Sequence, residues 1–443
     1  MKPISLRRCI ATFAVLCVFH ASAMAASSDE LADIRSQLRA LSERVDRLER
    51  ENDSLKAQNA ALRAKDEAKS ESESGSAQPA EQASDAKAAS WTERVELSSD
   101  LRYRHELTSD DTLNSSGVRT ADRERDRIRA RLSAKFKATD DVSIGIGFAT
   151  GEGGDPRSTN QTLGDVFSRK TLDLDLAYVD WAFADWGHVI GGKMKQPFFK
   201  PGQSLFWDGD ITPEGVAVTF KRGVMFGSAY GFWLNEFSGP ENTRTSDTML
   251  YGGQVGAHLP LGESNLVVAV HYYDLSAGQG RAPFYNNNPS GNTTIDSGSP
   301  AMPVLLYDYR VIDLSGEFNF HLGRFPMQVW ADLAQNQDPN DFNKAWALGA
   351  EFGDGKNAGT WGVGAEYQSV EKDALFAQFI DADLGGGQTD SGGWILRAAY
   401  APHKNVTLNA TYLINKHNID VPNGLGQTNV DFKRLELDLN TKF

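Results

Sequence analysis

Arg127, Arg129 and Arg131 stand two residues apart, and Ser133, Lys135 and Lys137 continue the row. Ile128, Ala130, Leu132, Ala134 and Phe136 fill the alternate positions. In an extended strand this period puts the cations on one face and the apolar groups on the other. A row of cations does no covalent chemistry. It attracts and orients charged solutes, or it neutralises facing carboxylates. Arg102 and Arg104 belong to a preceding segment with the same alternation: Arg94, Glu96 and Asp100 share their face, and Val95, Leu97, Leu101 and Tyr103 take the other. A hairpin brings the two basic segments side by side. Lys193 and Lys195 share the inward face of a later segment, and Asp313, Glu317, Asp332, Glu351, Glu366, Glu436 and Asp438 supply acids on others.

If the apolar faces meet lipid, a cation turned the same way costs about 2–4 kcal/mol at mid-membrane, so the charged rows face water. Two uses follow: a selectivity filter on the wall of a pore, or ion-paired scaffolding of a lumen, each pair individually weak. They are compatible, because a paired charge still shapes the field.

The segment Lys200-Pro201-Gly202-Gln203-Ser204-Leu205-Phe206-Trp207-Asp208-Gly209-Asp210-Ile211-Thr212-Pro213-Glu214-Gly215 reads as a long loop. Leu205, Phe206, Trp207 and Ile211 are unusual in an exposed loop and must pack on something. If the loop folds inward, Asp208, Asp210 and Glu214 face the basic rows across a narrow slot, which would orient polar solutes and filter ions. If it packs against neighbouring outer loops, they do not.

Other chemistry finds little support. Gly145-Ile146-Gly147-Phe148-Ala149-Thr150-Gly151 lacks the spacing of a phosphate loop and no helical pattern follows it. Asp208, Asp210 and Glu214 lack the spacing of an EF-hand calcium loop. His258 and His271 fall on adjacent strands without a third ligand. Cys9 and Cys17 are the only cysteines and both lie in a removable leader, so the remainder has no thiol chemistry. No catalytic residue, cofactor or metal is expected. A formal charge of −14, reaching −17 once Lys2, Arg7 and Arg8 are removed, disfavours nucleic-acid binding.

The elements that hold these residues are strands. From residue 91 to 443 short alternating segments recur between turn clusters, about sixteen of them from 92–107 to 429–443, the fifth at 187–199. Connections alternate short (Asp185-Trp186, Lys221-Arg222-Gly223) with long (108–125, 152–170, 200–213, 277–303, 372–390). The last segment sets Leu435, Leu437, Leu439 and Phe443 against Arg434, Glu436, Asp438 and Lys442. The expected fold is an all-β transmembrane barrel of antiparallel strands, wide enough for an aqueous channel.

Residues 1–25 read as a signal peptide: a basic start, an apolar run from Cys9, and Ala23-Met24-Ala25 for cleavage. Residues 26–65 read as an α-helical coiled-coil stalk. Leu31, Leu38, Val45, Asn52 and Asn59 repeat at heptad a, and Ile34, Leu41, Leu48, Leu55 and Leu62 at d. Residues 66–90 are polar and read as a flexible linker to the barrel at 91–443. With an even strand count both barrel ends, and the stalk, fall in the periplasm.

Arg125 to Leu132, Ser158 to Asp165, Gly191 to Phe199 and Trp207 to Gly215 resemble the bacterial "putative porin" family, over about residues 90–443 and most strongly in the first third of the barrel. The resemblance implies a general channel of the outer membrane with no defined substrate. The stalk is similar in architecture to helical extensions of some phosphate- and sugar-selective porins.

The expected function is passive diffusion of small hydrophilic solutes or ions across the Gram-negative outer membrane by a homotrimer. Arg102, Arg104, Arg127, Arg129, Arg131, Lys193 and Lys195 would attract anions, with Asp208, Asp210 and Glu214 as the opposing edge. The alternative is an envelope-anchoring barrel whose coiled coil contacts peptidoglycan or a periplasmic partner. An enzyme is not expected.

Overall fold

The computed structural model of the chain describes residues 94–238, 247–275, 278–285, 287–296 and 303–443. The expected signal peptide, coiled coil and linker lie outside the described residues.

The chain forms β1 (Val95–Asp110), β2 (Arg123–Lys137), β3 (Val142–Thr150), β4 (Gln161–Thr162), β5 (Leu172–Ala184), β6 (Gly187–Lys193), β7 (Glu214–Arg222), β8 (Met225–Asn235), β9 (Thr248–Leu261) and β10 (Ser264–Leu275). It continues through β11 (Thr294–Asp296), β12 (Pro303–Leu305), β13 (Tyr309–Leu322), β14 (Phe325–Asn336), β15 (Lys344–Gly353), β16 (Trp361–Val370), β17 (Ser391–His403), β18 (Val406–His417) and β19 (Val430–Lys442). Every barrel strand pairs antiparallel with its sequence neighbours, and β1 pairs with both β2 and β19, which closes the sheet. β4 is a two-residue addition in a loop and β11–β12 a separate hairpin, leaving a closed barrel of sixteen spans. At the seam Ser99 and Phe443 exchange backbone hydrogen bonds of 3.0 and 3.1 Å.

Alternation explains why these segments are strands and which way they face. Leu97, Leu101, Ile144, Ile146 and Phe148 are exposed on the outer surface, whereas Arg104, Arg127, Arg129 and Glu436 are buried. Across β1–β2 the register sets Asp100 opposite Arg131, Arg102 opposite Arg129, and Arg104 opposite Arg127. β3 carries Gly145 and Gly147 inward, and a Cβ on Gly145 would fall 2.2 Å from the Tyr178 ring. Tight turns at Gly223, Gly262 and Gly323 take positive φ at one end of the barrel, while the long connections gather at the other.

One expected strand ends early. The fifth segment stops at Lys193, not 199. Met194 N still donates to Pro213 O at 2.9 Å, in register with the β6–β7 ladder, and its side chain is buried; beyond it the chain turns inward. Gln196 Nε2 donates to the carbonyls of Asp208 and Ile211 at 2.6 and 3.1 Å. Hydrogen bonding within the loop replaces the ladder that would have extended β6.

The main apolar core lies inside the barrel. Met194, Phe206, Trp207 and Ile211 of the β6–β7 loop pack with Leu375, Phe376, Phe379 and Ile380 of the β16–β17 loop. The inward faces of β8, β9, β10 and β13 complete it through Tyr230, Phe232, Leu250, Tyr273 and Tyr309. Burying each large side chain contributes about 1.5–3 kcal/mol, which outweighs the cost of ordering a loop residue at about 1–2 kcal/mol. The opposite wall, β19–β1–β2, remains polar.

Candidate functional site: a charged slot beside two inward loops

The β6–β7 loop is fixed against the far wall. Gly202 N donates to Glu317 at 2.7 Å, Ser204 Oγ to Asp332 at 2.5 Å, and Asp381 N to Leu205 O at 2.9 Å. Gly202 sits at φ +51°, where a Cβ would fall 2.1 Å from the Trp330 ring, so both conformation and contact require glycine. Asp208 N donates to Phe379 O at 2.7 Å, joining this loop to the β16–β17 loop.

A third segment completes the enclosure. In the β3–β5 loop Thr159 donates through N and Oγ1 to Asp210, at 3.0 and 2.9 Å. Arg157 donates to the carbonyls of Ala377 and Gly387, both at 2.9 Å, and so supports the β16–β17 loop. Between these loops and the β1–β2 wall lies a cavity of about 410 Å³, with Arg102, Arg104, Arg127 and Arg129 on one side and Asp208, Asp210, Asp381 and Asp383 on another.

Several arginines in the row are neutralised. Arg104 meets Glu436 at 2.5 Å and Asp438 at 2.7 Å, with Asp383 at 3.5 Å. Arg129 and Arg131 share Asp100 at 3.0 and 2.7 Å, and Arg131 reaches Asp210 at 3.4 Å. Arg434 binds Asp383. Such interleaving offsets the repulsion of like charges set directly opposite, Arg102 by Arg129 and Arg104 by Arg127.

The loop carboxylates differ in character. Burial, then the charges of Asp381 and Asp210, push Asp208 well above the usual carboxylate range. Burial and the neighbouring Asp383 raise Asp381 to about 6. Burial also opposes ionisation of Asp383, but Arg434 and Arg104 outweigh it and hold this group below its ordinary value.

Two expected placements change. Glu214 does not face the arginine row: it opens β7 directly across from Lys193, and the two pair at 3.0 Å beside a separate cavity of about 400 Å³. Lys195 is not on the strand face, because β6 has ended; it is exposed and lines a cavity of about 480 Å³ together with Arg131. Asp210 borders all three cavities. His258 and His271 are not a pair. His271 bonds the Tyr230 hydroxyl at 2.8 Å, and His258 packs against Phe226.

A model of the family described as "putative porin" matches residues 110–303 and 304–443. The chain belongs to the "putative porin" family.

Among solved structures this porin is similar to OprB of Pseudomonas putida at high pH, at 11% identity and TM-score 0.54, covering 80% of this chain and 95% of that one. It is also similar to OmpT of Vibrio cholerae in a trimer form (12%, TM-score 0.44, 79% and 100% covered). A third neighbour is a triple mutant of the Rhodopseudomonas blastica porin (12%, TM-score 0.42, 79% and 100% covered). No curated protein sequence matches. The family and the barrel are those of an outer-membrane porin.

The sequence shows 372–390 as a long connection, but the inward course of this β16–β17 loop of the porin, with Asp381 and Asp383, was missed. The signal was present: Leu375, Phe376, Phe379 and Ile380 crowd a long connection just as Phe206 and Trp207 do. Arg157 and Arg434 were also missed, because only the folded loops reveal their partners.

Proposed function

We propose that the porin conducts small hydrophilic solutes or ions passively through a slot between the β1–β2 arginine wall and the two inward loops. The observation that carries this reading is the asymmetry of the lumen. One half is filled by an apolar core, and the other keeps opposed guanidinium and carboxylate groups around a cavity. Arg102, Arg104, Arg127, Arg129 and Arg131 form one edge; Asp208 and Asp210 form the other, joined by Asp381 and Asp383. Lys193 and Glu214 act as a neutral pair at the margin, and Lys195 at the neighbouring cavity. The filter is steric and electrostatic, with no bond made or broken.

Assembly as a homotrimer belongs to the same proposal. So does a periplasmic stalk, with its contact to the cell wall, built from residues outside those described. The test is reconstitution of the purified protein into planar bilayers. Discrete ohmic conductance steps in several salts are expected, and a folded protein that never conducts would overturn the proposal.

A further inference from the structure

Two arginines of the wall differ from their neighbours. Arg127 is 6% exposed, yet its Nε has no hydrogen-bond partner among the described residues. Its other donors make slack contacts: Glu106, Ser158 Oγ and the Asn160 carbonyl, each at 3.4 Å, and Glu152 at 4.0 Å. Normal N–H···O bonds run about 2.7–3.2 Å. Arg102 spends its fork on a neutral acceptor, Asn160 Oδ1, at 2.6 and 3.2 Å, and its nearest acid, Asp438, is 3.8 Å away. Both guanidiniums border the 410 Å³ cavity. A buried cation left short of acceptors is costly unless an anion reaches it.

Across the cavity the deficit reverses. Asp208 is buried and, among the described residues, accepts only the backbone N–H groups of Asp210 and Ala382, at 2.7 and 3.1 Å. Among the described residues neither Asp208 nor Asp381 has a cation within ion-pairing distance. Lys200, the amine beside them, donates to the Trp207 carbonyl at 3.1 Å. An anion alone would satisfy Arg102 and Arg127 and meet these acids; a cation alone would do the opposite.

We propose that this cavity is a binding subsite for a small zwitterion of the α-amino acid class, its carboxylate held by Arg102 and Arg127 and its ammonium by Asp208 and Asp381. The volume suits such a solute, since small-molecule clefts span about 300–1,000 Å³. The carboxylate gives the terminal nitrogens of Arg127 the close acceptor that their 3.4 Å contacts do not supply, and the ammonium supplies the charge that the two aspartates lack. This inference rests on the porin reading and specifies its solute.

The test uses the full-length protein in planar bilayers and three matched probes: glutamine, N-acetylglutamine, which keeps only the carboxylate, and glutaminamide, which keeps only the amine. Concentration-dependent block of the ion current is measured for each. Glutamine is expected to block at a concentration at least tenfold lower than either analogue, tenfold being about 1.4 kcal/mol. Arg127→Gln should weaken glutamine and N-acetylglutamine and spare glutaminamide; Asp208→Asn should weaken glutamine and glutaminamide and spare N-acetylglutamine. Equal block by all three probes, or tighter block by an analogue, in a conducting wild-type channel would overturn the subsite and leave the porin reading intact. A chain that shows heat-modifiable folding but no current overturns both. The wild-type ranking stands whether or not the variants fold.

Discussion

The Trp207 indole is stacked on the Phe379 ring, centroids 4.7 Å apart and planes 15° apart, where the β6–β7 and β16–β17 loops meet inside the barrel. Phe198 and Tyr273 flank the same indole at 5.1 and 5.3 Å. The two loops therefore behave as one packed body. Trp207→Ala should cost about 3–5 kcal/mol, as for a large aromatic removed from a core. Because that energy seats loops and not spans, the barrel should still form. Single-channel recording should show a larger and noisier conductance, with the heat-modifiable mobility of the barrel on gels retained.

Gly202 gives a second handle on the same body. Gly202→Val adds a side chain where φ is +51° and the Trp330 ring leaves no room. The combined strain is about 1–3 kcal/mol, enough to lift the start of the β6–β7 loop from Glu317 and Asp332. Proteolysis within 200–213 should become faster than in wild type, and the conductance should rise.

Reversing the charge of Arg129 tests the wall. Arg129→Glu puts an acid beside Asp100 and removes one of the cations that offset it. The reversal potential in a salt gradient should move toward cation selectivity. Unchanged potentials for the same substitution at Arg127, Arg129 and Arg131 would remove these residues from the filter.

Selectivity should also depend on pH. With its ionisation near 6, Asp381 is neutral at pH 5 and charged at pH 7.5, so raising the pH adds a negative charge to the slot. Its surroundings are Asp208, Asp210, Asp383 and Lys200, with Arg104 and Arg434 behind Asp383. Relative cation permeability should therefore increase from pH 5 to 7.5, and Asp381→Asn should flatten that change. A shift that survives the substitution assigns the titration elsewhere.

Much of this architecture was legible because a two-residue period cannot be mistaken over so many segments. Lipid-facing Leu97, Ile146 and Phe148 and lumen-facing Arg104 and Arg127 are told apart by parity alone. The inward course of the β6–β7 loop was one of two readings of its aromatic content, and its hydrogen bonds to Glu317 and Asp332 select it. What parity does not encode is where a ladder stops. Lys195 was misplaced because β6 ends at Lys193, after which Gln196 bonds into the loop, and Glu214 because the β6–β7 register sets it opposite Lys193. Ion-pair partners were illegible for a related reason: Arg104 and Glu436 meet only when the first and last strands join.

The apolar core inside the barrel has one more implication. The body that narrows the passage is built largely from two inserts, and it rests on wall residues such as Trp330 and Tyr309 that never touch lipid. The bore can thus be retailored by exchanging inserts while the staves, their tilt and their fit to the bilayer stay as they are. Divergence in what passes need leave no trace on the surface that the membrane sees.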